Sequence, residues 1–279
     1  MNWISRIGGW SLAVLMLATW VVPARAAESD AELATALKEG RIDLVRGENE
    51  SALTAFRHAV EISAGKSFPA WQGVTGSLLE LQRYDEAVES AKQARSLAAL
   101  PKEQSAAVSQ LVGALLLANR AAEATEVLRA YRATGAVEGD VQLLLCHVGQ
   151  SLAARRKDTV NDRLLALDTA APLRVGEKVQ KPQILEHAPP LYTPEARQAR
   201  LQGTVILQAV VGAGGRVEGI EVLKGLPMGL DEKAIDAVKQ WTFQPATLDG
   251  APVPVCYVLT VNFQMDDRPQ STAGEAPRN

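Results

Sequence analysis

Cys146 and His147 stand side by side in the stretch EGDVQLLLCHVGQSL, where the chain sets a thiol next to an imidazole. A cysteine becomes a nucleophile when a neighbouring base can take its proton. Here the stretch reads as a helix, on which adjacent residues project about 100° apart, so the two cannot readily share a proton. A packed cysteine beside a histidine at the rim is the expected arrangement. The other histidines, His58 and His187, lie in separate segments, and the three show no metal-ligand spacing. The glycines of VGAGGRVEG suggest a phosphate loop, but G-x-G-x-x-G fails at Val217 and the following pattern is a strand rather than a helix. They are assigned to a tight turn. No G-x-S-x-G is present, and most carboxylates fall on the polar faces of helices, where a solvated charge is the default. The residues therefore point away from an enzyme, with no catalytic residue, no cofactor and no metal.

What must position these residues begins with an export signal. MNWISRIGGWSLAVLMLATWVVPARA has Arg6 ahead of an apolar run from Ile7 to Val22, then Ala24-Arg25-Ala26 as an A-x-A cleavage site. The run falls short of the ~20 residues that span a bilayer, and Gly8 and Gly9 weaken it. Residues 1–26 are expected to be a cleaved signal peptide, which sends the protein to an oxidising exported compartment. The alternative is a retained segment that anchors it to the inner membrane. The formal net charge is −3, and removing Arg6 and Arg25 makes it more negative, so nucleic acid is not an expected partner. Cys146 and Cys256 are the two cysteines. A disulfide and two separately buried sulfurs are both open, the second favoured because the pair straddles the boundary drawn below.

From Ala31 to about Ala170 the chain is rich in helix formers, with apolar residues at helical spacing. ESALTAFRHAVEIS (50–63), DEAVESAKQARSLA (85–98) and AEATEVLRAYRATG (122–135) superpose with Ala52, Ala87 and Ala124 in register. Each follows another amphipathic helix after the short polar turns RGENE, LQRYDE or ANRAAE, so the unit is a helical hairpin that buries its apolar face only against its neighbours. It resembles the tetratricopeptide repeat: Ala52 and Phe56 carry its A-x-x-x-F pattern, Trp71 stands near its tryptophan, and Gly40 and Gly47 at its small positions. Thr75 and Val112 depart from its small glycine. A weaker fourth hairpin, 139–170, would cap the stack.

At Pro172 the composition changes. APLRVGEKVQKPQILEHAPPLYTPEA holds five prolines and no helical periodicity, which reads as a linker or an extended lead-in strand. Beyond it come a helical turn PEARQARLQ, a strand GTVILQAVV, the GAGG turn, a strand RVEGIEVLKG, a helix from about Leu230 to Trp241 and a final strand VCYVLTVNF. In that last strand Tyr257, Leu259, Val261 and Phe263 share one face, and Cys256, Val258, Thr260 and Asn262 the other. Leu230, Ala234, Val238 and Trp241 form a stripe that covers the sheet. In QWTFQPA, Trp241 and Phe243 lie two residues apart and press on the sheet as a plug rather than a binding motif.

These marks in this order, with Tyr192 in the lead-in, Gly203 before a strand, Gly215 and Val217 in the hairpin, Asp231 opening the helix, W-x-F-x-P at Trp241, Phe243 and Pro245, and Gly250 before the last strand, resemble the C-terminal domain of the TonB energy-transducer family. The resemblance implies a periplasmic module that binds a short peptide of an outer-membrane transporter by pairing with its last strand. The site it implies comprises Val255, Tyr257, Leu259, Val261 and Phe263, with the lead-in residues Pro189, Pro190 and Tyr192. The competing expectation is that the chain's own linker or a second copy, as a homodimer through this domain, covers that edge.

The family's transducers also need a membrane helix with a motor-contacting polar residue and a long proline-rich spacer. Here Leu15 follows Ser11 where the family has histidine, and helical repeats stand in place of the spacer. The expected protein is therefore α+β and multidomain: signal peptide 1–26, tetratricopeptide-like repeats 31–170, linker 171–188, TonB-like αββαβ domain with an antiparallel sheet 189–265, and a disordered tail 266–279. Its expected function is a periplasmic adaptor that captures an extended peptide, with a second protein in the groove of the repeats. An atypical membrane-anchored energy transducer is the alternative.

Overall fold

The computed structural model describes residues 11–155, 159–167, 169–176 and 178–265, with side chains described from Glu28 on. The expected tail, 266–279, and the start of the expected signal peptide, 1–10, lie outside the described residues, as do the side chains of 11–26. Helices come first and sheets with antiparallel strands follow, an α+β chain. It divides into two compact units, one ending at Arg120 and the other beginning at Ala121.

The first unit is built from α1 (Ser11–Arg46), α2 (Asn49–Ile62), α3 (Phe68–Glu80), α4 (Tyr84–Leu97) and α5 (Pro101–Leu117). Local chemistry sets the helix starts. Ser67 accepts a hydrogen bond from the Ala70 N–H at 3.3 Å, with Pro69 in the first turn of α3. Pro101 opens α5, where the Glu103 carboxylate accepts from the N–H groups of Ala99 and Leu100 at 3.0 and 3.1 Å. Ala52 and Ala87, the residues that align the repeats, are fully buried, as is Phe56. Thr75 occupies its supposed small position without loss: its Oγ1 lies 2.9 Å from the Ser90 Oγ inside the unit. Among the described residues no helix is long and apolar enough to cross a membrane.

The second unit contains α6 (Ala121–Arg132), α7 (Glu138–Arg155), α8 (Val160–Leu165), α9 (Pro194–Gln198) and α10 (Leu230–Val238). Its strands are β1 (Leu173–Arg174), β2 (Val179–Gln180), β3 (Gln183–Glu186), β4 (Gly203–Val211), β5 (Val217–Lys224), β6 (Thr242–Gln244), β7 (Ala246–Leu248), β8 (Ala251–Val253) and β9 (Val255–Phe263). The main sheet runs β1-β9-β4-β5, beside a β2-β7-β8 sheet and a β3-β6 pair. β4 is antiparallel to both long neighbours, with Leu207 opposite Leu259 and Val205 opposite Val261.

Two features depart from the expectations. The compact units part at 120/121 instead of at the composition change near 171, because α7 packs on the sheet. Gly139 and Gly219 make this contact possible: a Cβ at Gly219 would lie 2.6 Å from the Gly139 carbonyl oxygen and 3.0 Å from Leu143. Second, Cys146 and Cys256 form a disulfide, so the expectation of two separate sulfurs is corrected. The reason is the same, since α7 crosses the face of β9 on which Cys256 stands. The proline-rich stretch 171–188, read as a linker or an extended lead-in strand, supplies β1, β2 and β3.

On the opposite face of the sheet lie Leu207, Leu259, Val261 and Phe263, all buried beneath α10 and its stripe of Leu230, Ala234 and Val238. The helix ends at Val238, three residues before the expected Trp241, and the chain closes in a turn with the Trp241 N–H on the Val238 carbonyl at 3.1 Å. Trp241 and Phe243 are buried with ring centroids 6.4 Å apart, and the indole N–H donates to the Ala188 carbonyl at 2.9 Å. Gly215, at φ +73°, lets the turn reach the Phe243 carbonyl, a site where a Cβ would overlap that oxygen.

Candidate functional site

The two long strands that flank β4 in the main sheet, β5 and β9, have opposite characters. β5 carries Glu218, Glu221 and Lys224, and its pairing with β4 shifts register twice, between Ile206 and Leu207 and between Val210 and Val211. Charges and bulges are the devices by which natural proteins keep an edge from pairing further. β9 has neither: VCYVLTVNF contains no charged residue and no proline, and its register with β4 is regular from Val255 to Phe263. Its outer side is paired only at Val255 and Cys256, by the two residues of β1 running parallel. From Tyr257 to Phe263 no strand follows among the described residues.

The Leu173 N–H donates to the Pro254 carbonyl at 2.8 Å, so the backbone of residue 254 faces outward. Alternation along a strand then turns the backbone groups of Val258, Thr260 and Asn262 to the same open side. All three residues are exposed, Val258 at 56%. Thr204 donates to the Asn262 side-chain oxygen at 2.9 Å, which holds that amide beside the edge.

The residues expected to form the site are placed as follows. Val255, Leu259, Val261 and Phe263 are buried and Tyr257 is half-buried. Leu259, Val261 and Phe263 therefore support the strand from the core side. Val255 is already paired, with Leu173 on one side and Val211 on the other. Tyr192 is tied inward: its hydroxyl donates to the Leu201 carbonyl at 3.0 Å, its ring meets Phe263 edge-on at 5.4 Å, and burial raises the phenol pKa. Pro190 is half-buried, while exposed Pro189 lines a 310 Å³ cavity with Leu191, Lys233, Asp236, Ala237 and Gln240. Pro189 thus belongs to the α10 side, apart from the open side of β9. Val258, Thr260 and Asn262 lie within the expected strand 255–263 but are not among the residues singled out for the site. The alternation in VCYVLTVNF separates the two sets, but which set is core depends on where the helices land.

The Cys146–His147 question is also settled. The sulfur is in the disulfide, and His147 Nε2 lies 2.7 Å from Glu221 Oε2 on β5. Among the described residues no group of three or more His, Cys, Asp or Glu is placed to hold a metal ion. In the first unit a cavity of 530 Å³ has Val60, Trp71, Val74 and Leu78 as its apolar wall and Arg57, Glu86 and Glu89 at its rim.

The fold and the edge define a small α/β module with one unguarded strand. Residues 188–265 match the family described as Gram-negative bacterial TonB protein C-terminal. The protein TonB of Xanthomonas campestris pv. campestris strain B100 is 37% identical over 79 residues, 28% of this chain and 35% of that protein. The chain thus spans about a third of the length of that relative. The solution NMR structure of the Pseudomonas aeruginosa TonB CTD is 28% identical and covers 32% of this chain and 90% of that chain, with a TM-score of 0.27. A crystal structure of a tpr-like protein from Chlorobium tepidum is 24% identical and covers 44% of this chain and 96% of that chain, with a TM-score of 0.34. Residues 188–265 are thus TonB-like, and helices precede them in the chain.

Proposed function

We propose that this protein is a periplasmic adaptor whose TonB-like unit captures an extended peptide of another protein, an outer-membrane transporter being the partner the family suggests. The carrying observation is the contrast between the two edges of the sheet: β5 is charged and bulged, while β9 is regular, uncharged and open from Tyr257 to Phe263. A partner strand would bond to the outward backbone groups of Val258, Thr260 and Asn262, the recognition mode of β-strand addition. Tyr257, Leu259, Val261 and Phe263 hold that backbone flat from beneath, and Tyr192 braces Phe263. Pro189 offers a separate contact beside α10, with Pro190 next to it in the chain. The 530 Å³ cavity of the first unit is the place for a second protein. In this reading the protein binds rather than catalyses, needs no cofactor, and reaches the periplasm through a cleaved signal peptide.

The test is a photo-crosslinker at Val258 in the native envelope, with and without Thr260→Pro. The Thr260 N–H faces the open side, so proline there removes an edge donor without removing a β4 ladder bond. Crosslinks to an outer-membrane transporter that vanish with Thr260→Pro are expected. Crosslinks that persist in that variant overturn the reading, and crosslinks to second copies alone replace it with self-association. A second reading, a membrane-anchored energy transducer, draws on the apolar run from Ile7 to Val22 and on the TonB relatives. A mature N-terminus at Ala27 excludes it.

A further inference from the structure

We infer that Asn161 and β1 form a stop on β9 that confines a captured strand to the window from Tyr257 to Phe263; this rests on the edge-capture reading above. Successive residues of β1 turn their backbones to opposite sides. Leu173 bonds toward β9 through the Pro254 carbonyl. Arg174 bonds away from it, to the carboxamide of Asn161: its N–H donates to Oδ1 at 2.9 Å and its carbonyl accepts from Nδ2 at 3.0 Å. This is the pair of bonds that one residue of a neighbouring strand would make, supplied by a side chain. The sheet therefore ends at Asn161 on this side and cannot add a strand outside β1.

The stop is held firmly. Val160 and Leu164 of α8 and Leu173 of β1 are buried, at 3%, 0% and 1% exposure. Past Arg174 the chain leaves β9 at a tight turn, in which Gly176 and Val179 exchange N–H to carbonyl bonds at 3.2 and 3.1 Å, and then pairs with β7. The chain's own strand thus occupies the first two positions of the edge and vacates the rest. A captured segment gains backbone bonds along about seven residues and meets the end of β1 after that.

Fluorescein-labelled peptides of alternating Thr and Val, five, seven, nine and eleven residues long with a soluble Gly-Lys tail, test this by anisotropy against the full chain. For the unaltered protein, affinity should rise about threefold or more between five and seven residues and then level off. In Asn161→Ala the Arg174 amide should lose its protection from hydrogen exchange while the β4 amides keep theirs, and the plateau should move to nine residues. Arg174→Pro breaks the same pair from the other side and should move it likewise. Affinity of the unaltered protein that keeps climbing beyond seven residues overturns the stop. So does a plateau that stays at seven in both variants once β1 is deprotected. If no peptide binds, or if Thr260→Pro leaves the seven-residue affinity unchanged, the edge-capture reading falls and the stop falls with it. Binding that Thr260→Pro abolishes but that grows past seven residues overturns the stop alone.

Discussion

Cys146 of α7 and Cys256 of β9, 110 residues apart in sequence, are joined by a disulfide with their Cα atoms 5.8 Å apart. The bond ties a helix that reads as the last of the repeats to the strand proposed to receive a partner, and both belong to the second unit. Buried Val141, Leu144, Leu145, Val148 and Leu152 show that α7 is also part of this unit's apolar core.

Loss of the disulfide should therefore weaken the second unit without displacing α7. A disulfide is typically worth about 2–4 kcal/mol, and loop entropy alone gives about 5 kcal/mol for a loop of this length, with a model-dependent origin. Cys146→Ser with Cys256→Ser should lower the denaturation midpoint of this unit by a corresponding amount, read from hydrogen exchange of the β4 amides in increasing urea. Exchange unaltered by the double substitution contradicts this.

The crossing of α7 over β5 depends on two glycines. Gly219→Ala should destabilise the second unit by about 1–3 kcal/mol, the range for overfilling a packed contact, because its Cβ would press on the Gly139 carbonyl and Leu143. Gly214→Ala is the control, since nothing lies within 4 Å of a Cβ there. Thermal unfolding of the two variants side by side should separate them.

Acid should weaken the α6–α7 junction. Arg132 donates to the Glu138 carboxylate at 2.9 and 2.8 Å, and this hydrogen bond, partly opposed by desolvation and aided by Gln142, holds Glu138 below its usual range. A depressed folded value contributes stability that is fully present above the unfolded value, about 4.3, and disappears as pH falls through the folded one. Glu138→Gln should be less stable than the unaltered chain near neutrality and should converge with it in strong acid. Urea midpoints measured from neutral to strongly acidic pH decide this.

Neighbouring residues of β9 should respond in opposite ways to a charge. Leu259→Lys buries an ammonium in the core at a position that is 3% exposed and should unfold or severely destabilise the second unit. Val258→Lys places the same charge on the open face, where edge lysines discourage pairing, and should leave the midpoint within about 0.5 kcal/mol while weakening capture of an extended peptide. Circular dichroism melts paired with peptide anisotropy read both effects.

The long elements were legible because their signals are local. GTVILQAVV is a short apolar run bounded by turn signals and VCYVLTVNF divides its residues between two faces, and they form β4 and β9 over those same residues. The stripe of Leu230, Ala234 and Val238 is buried as its spacing predicts, and Trp241 is buried from the turn beyond the helix. Strands of two to four residues have too few positions for a period to show, so β1, β2 and β3 were hidden in a proline-rich stretch that reads equally as a linker.

By itself, then, the sequence determined the helical hairpins, the order of the strand-rich half, its TonB resemblance and the division of β9 into two faces, since each follows from spacing along a few turns or strand residues. Only the tertiary structure decided that Leu259 faces the core while Val258 faces out, that α7 lies on the sheet, that Cys146 meets Cys256, and that Asn161 closes the sheet beside Arg174. Those outcomes depend on which distant surfaces come together, and an apolar helix such as α7 satisfies the same local pattern whether it packs against another hairpin or a sheet.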